Sequence, residues 1–196
     1  DALSKLYYPA VCRENKKGIA AQLRKQYLQA SLALIEKKDR KGLLKLLEKA
    51  VKDFEAITIN NDKVPVIGVV GEIYIKYNSF SHKHVLDWLS NQGIEVVAPS
   101  MYNFFIISFV NQHINKHTHL KKVAIPLWLN DKIYNCVYKY AKQFDKVGSK
   151  YQYYRPFSNI FHDAKLAVEI INPAANFGEG WLIPAELASF ANSGIN

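Results

Sequence analysis

Mostly apolar side chains recur at helical spacing through the first quarter of the chain. The first run places one face of a predicted helix at Ile19, Leu23, Tyr27, Ser31, Leu34 and Ile35. After a polar break from Lys38 to Lys41, a second run continues at Leu43, Leu47, Ala50 and Phe54. This period is that of an amphipathic helix with one buried side. The two runs predict an antiparallel helical hairpin, within a helical segment over residues 1–55.

A turn-forming cluster follows this helical segment. The side chains of Asn60, Asn61 and Asp62 can bond their own backbone and so interrupt regular structure. The helical pattern stops before this cluster, and a strand-like pattern begins after it, at Val64. We therefore expect a domain boundary here, followed by an α/β domain over residues 64–196.

The next pattern predicts two parallel strands joined by a helix. Residues 64–70 are β-branched and almost wholly apolar, as in a strand covered on both faces. An amphipathic helix with Val85, Leu86, Trp88 and Leu89 follows and ends at Gly93, and residues 94–99 are predicted to form another buried strand. A right-handed crossover of this kind makes the two strands parallel neighbours.

The rest of the chain reads as helices around one irregular, aromatic connector. The helices are predicted at residues 102–115, 127–146, 161–171 and 181–191, and the connector at 151–157. Two parallel strands are too few for a stable sheet, and the α/β alternation would next supply another strand. We therefore predict a helix-rich α/β fold in which the helical hairpin precedes a partial Rossmann/flavodoxin-like parallel sheet. We expect the 64–196 domain to be truncated at its C-terminus.

The composition is that of a folded chain with excess positive charge. Hydrophobic residues make up 49% of the sequence, and the formal net charge is +9. No apolar stretch approaches the ~20 residues that a membrane-spanning helix needs. Only Cys12 and Cys136 occur, without the spacing of a thiolate metal site. We therefore expect a soluble, cytoplasmic protein with no membrane partner and no disulfide framework.

The positive charge has two interpretations. Residues 1–55 hold 13 Lys/Arg against 7 Asp/Glu, but the signs alternate from Glu36 to Lys41, which is typical of a solvated helix face. The alternative is nucleic-acid binding, to which the aromatic and basic residues from Lys150 to Arg155 could contribute by stacking on single strands. Buried tyrosine rings at a domain seam explain that segment more simply. Nucleic acid is therefore the less favoured partner.

The segment after the first predicted strand is one candidate ligand site, because open α/β sheets bind ligands beyond the carboxyl ends of their strands. Its candidate residues are Gly71, Glu72, Tyr74, Lys76 and Asn78. Gly71 permits close backbone approach, Glu72 can accept a hydrogen bond or act as a base, and Lys76 can meet a phosphate. The alternative is an ordinary loop whose glutamate only orders the turn.

A second candidate site precedes the last predicted helix. Gly178 and Gly180 frame Glu179 directly before Trp181, so that an anion or the backbone of a partner could approach the open helix N-terminus. Tight packing of Trp181 is the alternative explanation of these small residues.

The sequence contains none of the common catalytic motifs. It has no GxGxxG, P-loop, GxSxG or HExxH pattern. His113 and His117 have the spacing of a metal-binding pair, but no carboxylate lies at a useful spacing. We predict no metal site and assign no catalytic residue.

Three ordered blocks carry a resemblance to one family. They are residues 68–78, residues 154–157 and residues 177–186, the last of which reads FGEGWLIPAE. In these blocks the chain resembles the activase-related 2-hydroxyacyl-CoA dehydratase family, and the likeness covers essentially the whole chain. The second block adds Arg155 to the candidate ligand-binding residues.

The resemblance implies a role within a larger protein. Such proteins are similar to ATPase domains of the sugar-kinase type, which bind ATP and an iron–sulfur cluster, fused to a dehydratase-like downstream part. This chain resembles a piece of that part, which implies a substrate-side or docking module for ATP-driven radical dehydration of acyl-CoA. The implied partners are other domains of the parent protein, a dehydratase subunit and an acyl-CoA thioester.

The cofactors are expected elsewhere in such a parent protein. Cys12 and Cys136 lie outside the three blocks, so we expect no cofactor in this chain and no catalysis by it alone. The resemblance assigns ATP and the cluster to the parent. The alternative function is that of a non-catalytic protein-interaction domain.

Overall fold

The computed structural model describes residues 1–59 and 63–195. Within these ranges it contains nine helices and two short strands. The helices are α1 (Ala2–Val11), α2 (Ile19–Glu36), α3 (Arg40–Ile57), α4 (Ile73–Tyr77), α5 (Val85–Asn91), α6 (Met101–Thr118), α7 (Leu127–Gly148), α8 (Ile160–Val168) and α9 (Leu182–Asn192). The strands are β1 (Val66–Gly68) and β2 (Glu95–Val97).

The chain folds into two compact units, each assembled from separate segments. The first unit comprises Asp1–Ile67, Val85–Val97 and Ala141–Phe157. The second comprises Gly68–His84, Ala98–Tyr140 and Ser158–Asn196. The boundary predicted between residues 55 and 64 stays a prediction, since the turn cluster at 60–62 lies outside the described residues.

Three N-terminal helices build most of the first unit. The predicted helices α2 and α3 are confirmed, and they pack against each other and against α1. Asp39 begins α3 by accepting a hydrogen bond from the Gly42 N–H at 2.8 Å. The fully or almost fully buried side chains of this core include Leu6, Ala10, Tyr27, Ala50, Val51, Phe54 and Tyr151. The aromatic connector after α7 therefore contributes a ring to the core of the helical segment.

The two strands form a small parallel sheet. They are hydrogen-bonded neighbours of three residues each, and the Glu95 N–H donates to the Pro65 carbonyl at 2.8 Å. The predicted helix between them is present as α5. The predicted parallel pairing and the helix-rich α/β character are therefore confirmed. A Rossmann- or flavodoxin-like arrangement stays a prediction.

Helices α6, α8 and α9 form much of the second unit, which also contains α4 and the first part of α7. α8 packs against both α6 and α9. Asn159 begins α8 by accepting hydrogen bonds from the N–H groups of Phe161 and His162. The core side chains with at most 2% exposure are Ile106, Ile160, Ala167, Trp181, Leu182 and Ala185. The last predicted helix is confirmed as α9.

Two further observations concern the predictions of no membrane partner and no metal site. Each helix in the described part of the chain is too short or too polar to cross a membrane. Among the same residues, no three His, Cys, Asp or Glu side chains are grouped so that they could hold a metal ion.

Candidate functional site

Three charged side chains meet in the interior of the second unit. The Lys76 Nζ atom lies 3.1 and 3.0 Å from the two carboxylate oxygens of Glu186 and 3.6 Å from Oε1 of Glu179. All three side chains are at most 4% exposed. We call these residues the Lys76 cluster. One ammonium group faces two carboxyl groups away from water, an arrangement that is tolerated only because the charges have partners.

The short helix α4 brings Lys76 to the cluster. Glu72 begins this helix, and its carboxylate accepts a hydrogen bond from the Tyr74 N–H at 3.0 Å. The Tyr77 hydroxyl donates to the carbonyl of Pro99. A helix of five residues is too short to persist alone, so these contacts fix its orientation. Lys76 points inward, while the Tyr74 side chain is 61% exposed.

The turn before α9 brings Glu179 to the cluster. Gly178 has a φ of +58°, in the left-handed region that favours glycine. A Cβ atom at Gly180 would lie 2.2 Å from a backbone carbonyl oxygen. Trp181 is fully buried, and its indole N–H donates to Oδ1 of Asn111 at 2.8 Å. Gly180 and Trp181 thus pack the turn closely, and a ligand-binding role for them stays a prediction.

The Glu179 carboxylate lies 3.6 Å from Lys76 and has no hydrogen bond to any described residue. Buried carboxylates normally accept hydrogen bonds, and leaving the oxygens without one is costly. The group is therefore able to accept a donor from a ligand or from water. This makes the Lys76 cluster the strongest candidate site in the second unit.

The environment of Glu186 changes its protonation. Burial raises the pKa of its carboxyl group from 4.5 to about 7, against the opposing effect of Lys76. Glu179 and Asp163 raise the pKa further through charge repulsion. Burial also raises the pKa of Asp163, which is 3% exposed. The cluster therefore combines a fixed cation with a carboxyl group that titrates near neutral pH.

The pKa of Glu186 predicts how stability depends on pH. Between pH 4.5 and about 7, the folded state keeps a proton that the unfolded state releases. The free energy of unfolding should therefore fall as the pH rises through this range, by on the order of 3 kcal/mol. Urea unfolding at pH 5 and pH 7.5 would measure the fall, and Glu186→Gln should flatten it. Glu169→Gln, at an exposed position, should leave the slope unchanged, and equal slopes in all three proteins would contradict the assignment.

The other candidate ligand-binding residues that follow β1 lie at or near the surface. Glu72 is exposed, and it acts as the helix cap described above. Asn78 is half-buried, and its Oδ1 atom accepts a hydrogen bond from the Phe80 N–H at 3.0 Å. Gly71 has space around it, since the nearest atom to an added Cβ would be 3.9 Å away. Their ligand-binding roles stay predictions.

Arg155 belongs to the first unit, where it forms an ion pair. Its Nη2 and Nε atoms lie 2.9 and 3.2 Å from Oε1 of Glu95, which is 1% exposed. The Arg13 Nη1 atom lies 2.7 Å from the other carboxylate oxygen, and the Arg13 guanidinium stacks 4.0 Å from the ring centre of Tyr153. Arg155 therefore makes an ion pair with a buried carboxylate of its own unit. Its role in ligand binding stays a prediction.

Glu186 was not among the candidate ligand-binding residues predicted from the sequence. A signal for it exists, because Glu186 is the only charged residue in α9 and Lys76 is the only one in α4. A single charge within an otherwise apolar helix indicates a buried partner of opposite charge. The sequence did not indicate which partner, since the two residues are 110 positions apart.

Comparison with known proteins does not identify a family or a function for this chain. The chain matches no protein-family model, no curated protein and no solved structure. The dehydratase activase-related family therefore stays a resemblance carried by the three sequence blocks.

Proposed function

We propose that this chain is the substrate-side or docking module of a 2-hydroxyacyl-CoA dehydratase activase-related protein. The observation that carries the proposal is the contact between Lys76 and Glu186. These residues belong to the first and third of the blocks that resemble the family. The fold therefore brings two of the three blocks into direct contact, as one functional region would require.

The contact has a consequence at the surface. It holds α4 beside the turn that precedes α9, and each of these elements carries an exposed aromatic ring. Tyr74 is two residues before Lys76 and is 61% exposed, while Phe177 is two residues before Glu179 and is 72% exposed. Exposed aromatic side chains beside a fixed polar interior are typical of binding surfaces. We propose that an acyl-CoA thioester or a dehydratase subunit binds at this surface.

The same proposal places the cofactors and the catalytic step outside this chain. The ATPase and the iron–sulfur cluster would belong to other parts of a cytoplasmic parent protein, and this chain would supply binding and orientation. The β1–β2 pair would then be part of a Rossmann- or flavodoxin-like sheet. The isolated chain would bind a thioester without transforming it.

Thioester binding provides the test. We expect lactoyl-CoA to bind the full chain more tightly than free lactate does, in isothermal titration calorimetry. Tyr74→Ala should weaken this binding about tenfold, because an exposed aromatic anchor is removed without disturbing the core. Trp128→Ala is the matched control, since Trp128 is an equally exposed aromatic of the second unit, at 68%. Binding that is absent, or that both variants weaken alike, would contradict the proposal.

An interaction domain is the second candidate, and a groove in the first unit favours it. Leu28, Leu32 and Ile35 are 47%, 60% and 56% exposed and follow helical spacing along α2. They line a groove of about 500 Å³ together with Tyr7, Ala21, Arg24, Lys25, Gln29 and Ser31. Leucine and isoleucine side chains this exposed on one stripe are typical of a surface that a partner covers.

The charges at this groove indicate the kind of partner. Its charged residues, Arg24 and Lys25, are both basic. A second copy of the chain presenting the same face would be repelled, because symmetric contact pairs each patch with itself. The groove therefore fits an amphipathic helix with an apolar stripe and acidic flanks.

A peptide pair tests this second candidate. We expect a synthetic helix with leucines at helical spacing and glutamates on both flanks to bind, with a lysine-flanked copy binding at least about tenfold more weakly. Leu32→Lys should abolish binding, whereas Ile170→Lys, at an equally exposed site of the second unit, should not. Fluorescence anisotropy measures both. Equal binding of the two peptides, or none by either, would remove this candidate.

A further inference from the structure

We propose that a basic groove at the end of α6 is a binding site for a diphosphate group. The groove has a volume of about 440 Å³ and is lined by Asn115, Lys116, His119, Lys121, Lys122 and Val123. We call it the α6 groove. It lies within the second unit, and its lining includes no residue of the Lys76 cluster.

The backbone brings the lysines of the groove together. α6 ends at Thr118, and the next residue, His119, has a φ of +56°, which is in the left-handed region and reverses the chain direction. The Gln112 side chain then accepts a hydrogen bond from the Ala124 N–H at 3.2 Å and ties the following segment back to the helix. Lys121 and Lys122 are therefore held in the same groove as Lys116.

The charge of this segment is unusually one-sided. No Asp or Glu occurs between Met101 and Asn130. Within the described ranges, none of Lys116, Lys121 and Lys122 forms a salt bridge with a carboxylate. Like charges gathered in one groove repel each other, and an anion removes this repulsion.

Helix electrostatics explain only part of this charge. The C-terminus of a helix carries a partial negative charge equivalent to about half an electron, which favours cations in the last turn. Lys116 and His117 occupy that turn. Lys121 and Lys122 lie beyond it, so the groove holds more positive charge than the helix end can balance.

The chemistry of the lining selects the class of ligand. Each lysine ammonium offers three N–H donors and a full charge, which suits phosphate oxygens. The volume lies within the range of small-molecule sites, which is about 300 to 1,000 Å³. Three lysines in one groove suit two linked phosphates better than a single carboxylate.

An exposed ring beside the groove offers a place for a base. The Lys121 Nζ atom lies 4.6 Å from the centre of the Phe177 ring, which is 72% exposed. A nucleoside attached to the diphosphate could stack on this ring. The diphosphate is the shared chemistry, and it can come from free pyrophosphate or from a nucleotide. CoA also carries a diphosphate, but the inference does not depend on the thioester role proposed above.

Calorimetric titration with pyrophosphate and with ADP tests the site, in buffer near physiological ionic strength. The double variant Lys121→Gln/Lys122→Gln should weaken pyrophosphate binding at least about tenfold, because charge-assisted hydrogen bonds are lost. The control Lys139→Gln/Lys165→Gln changes the net charge equally at exposed positions of the same unit and should leave binding unchanged. Phe177→Ala should weaken ADP but not pyrophosphate if the ligand is a nucleotide. If Phe177→Ala weakens neither probe while Lys121→Gln/Lys122→Gln weakens both, the site is one for free diphosphate.

Three results would overturn the proposal. The first is no saturable binding of either probe. The second is equal weakening by both double variants, which would mean that net charge alone attracts the anion. The third is binding of single-stranded DNA through the same lysines more tightly than ADP, with a steep salt dependence. The variants keep this test apart from the lactoyl-CoA experiment, because Tyr74→Ala reports on the proposed thioester surface and Lys121→Gln/Lys122→Gln reports on the α6 groove.

Discussion

Replacing Glu95 with alanine should lower the free energy of unfolding by about 3 to 5 kcal/mol, the range measured when one partner of a buried ion pair is removed. Glu95 is 1% exposed and lies at the start of β2. It is the shared partner of Arg13, which is 5% exposed, and of the half-exposed Arg155. Without it, the Arg13 guanidinium would stay buried without the carboxylate that compensates its charge.

Urea unfolding of the wild-type protein, of Glu95→Ala and of Glu48→Ala measures this loss in the free energy of unfolding. Glu48→Ala is the matched control, because Glu48 pairs with Lys150 at 2.8 Å but both side chains are largely exposed. An exposed ion pair is screened by water and contributes little. We expect a small change for Glu48→Ala and a large one for Glu95→Ala. Similar losses in the two variants would show that the Glu95 pair is not a buried structural contact.

Replacing Lys76 with methionine should have an effect of similar size, about 3 to 5 kcal/mol above neutral pH. Methionine keeps most of the side-chain volume but removes the cation. The carboxyl groups of Glu179 and Glu186 would then face each other in a buried site without a positive charge. The loss follows from electrostatics, since no cavity is created.

The loss in Lys76→Met should depend on pH. Lys76 now holds the pKa of Glu186 below the value that burial alone would give. Without it, this carboxyl group binds its proton still more strongly, so the variant should lose more stability at pH 8 than at pH 5.5. Lys165→Met, at an exposed position on α8, is the control and should show a small loss at both values. A loss in Lys76→Met that is independent of pH would contradict the buried cluster.

Much of the helical architecture was predictable, because apolar periodicity is a local property. The predicted helix at residues 127–146 is confirmed as α7, and α2, α3, α6 and α9 are confirmed with ends shifted by three residues at most. The helix predicted at residues 161–171 is present as α8 but ends at Val168. Its last turn was misplaced because Asn172 and Pro173 gave a strong stop signal a few residues later.

Two helices were not predicted as separate elements, for different physical reasons, although α1 lies in the segment 1–55 that was predicted to be helical. α1 contains Pro9, which removes a backbone donor within the helix, and its sequence therefore argues against a helix. Packing of Leu6 and Ala10 into the first unit's core compensates for this. α4 has only five residues and no period to detect. Its stability comes from the Glu72 cap and from contacts that the sequence does not reveal.

The candidate site was predictable in part. Lys76 and Glu179 were selected from the loops that hold them, and the structure brings them 3.6 Å apart. Glu186, which makes the shorter contact, was not selected, because a pairing across 110 positions leaves no local pattern. Arg155 was selected as well, but its observed partner is Glu95 of its own unit.

A double-mutant cycle at Lys76 and Glu186 measures whether the first and third sequence blocks meet through this buried pair. The variants are Lys76→Met, Glu186→Leu and the double variant, each measured by urea unfolding at pH 8. Replacing both partners of a buried ion pair by apolar residues often restores stability. We therefore predict a coupling energy of about 2 kcal/mol or more, with the double variant more stable than Lys76→Met alone. If the two single losses add to the double loss within about 0.5 kcal/mol, Lys76 and Glu186 are not in contact, since two side chains in contact do not act independently.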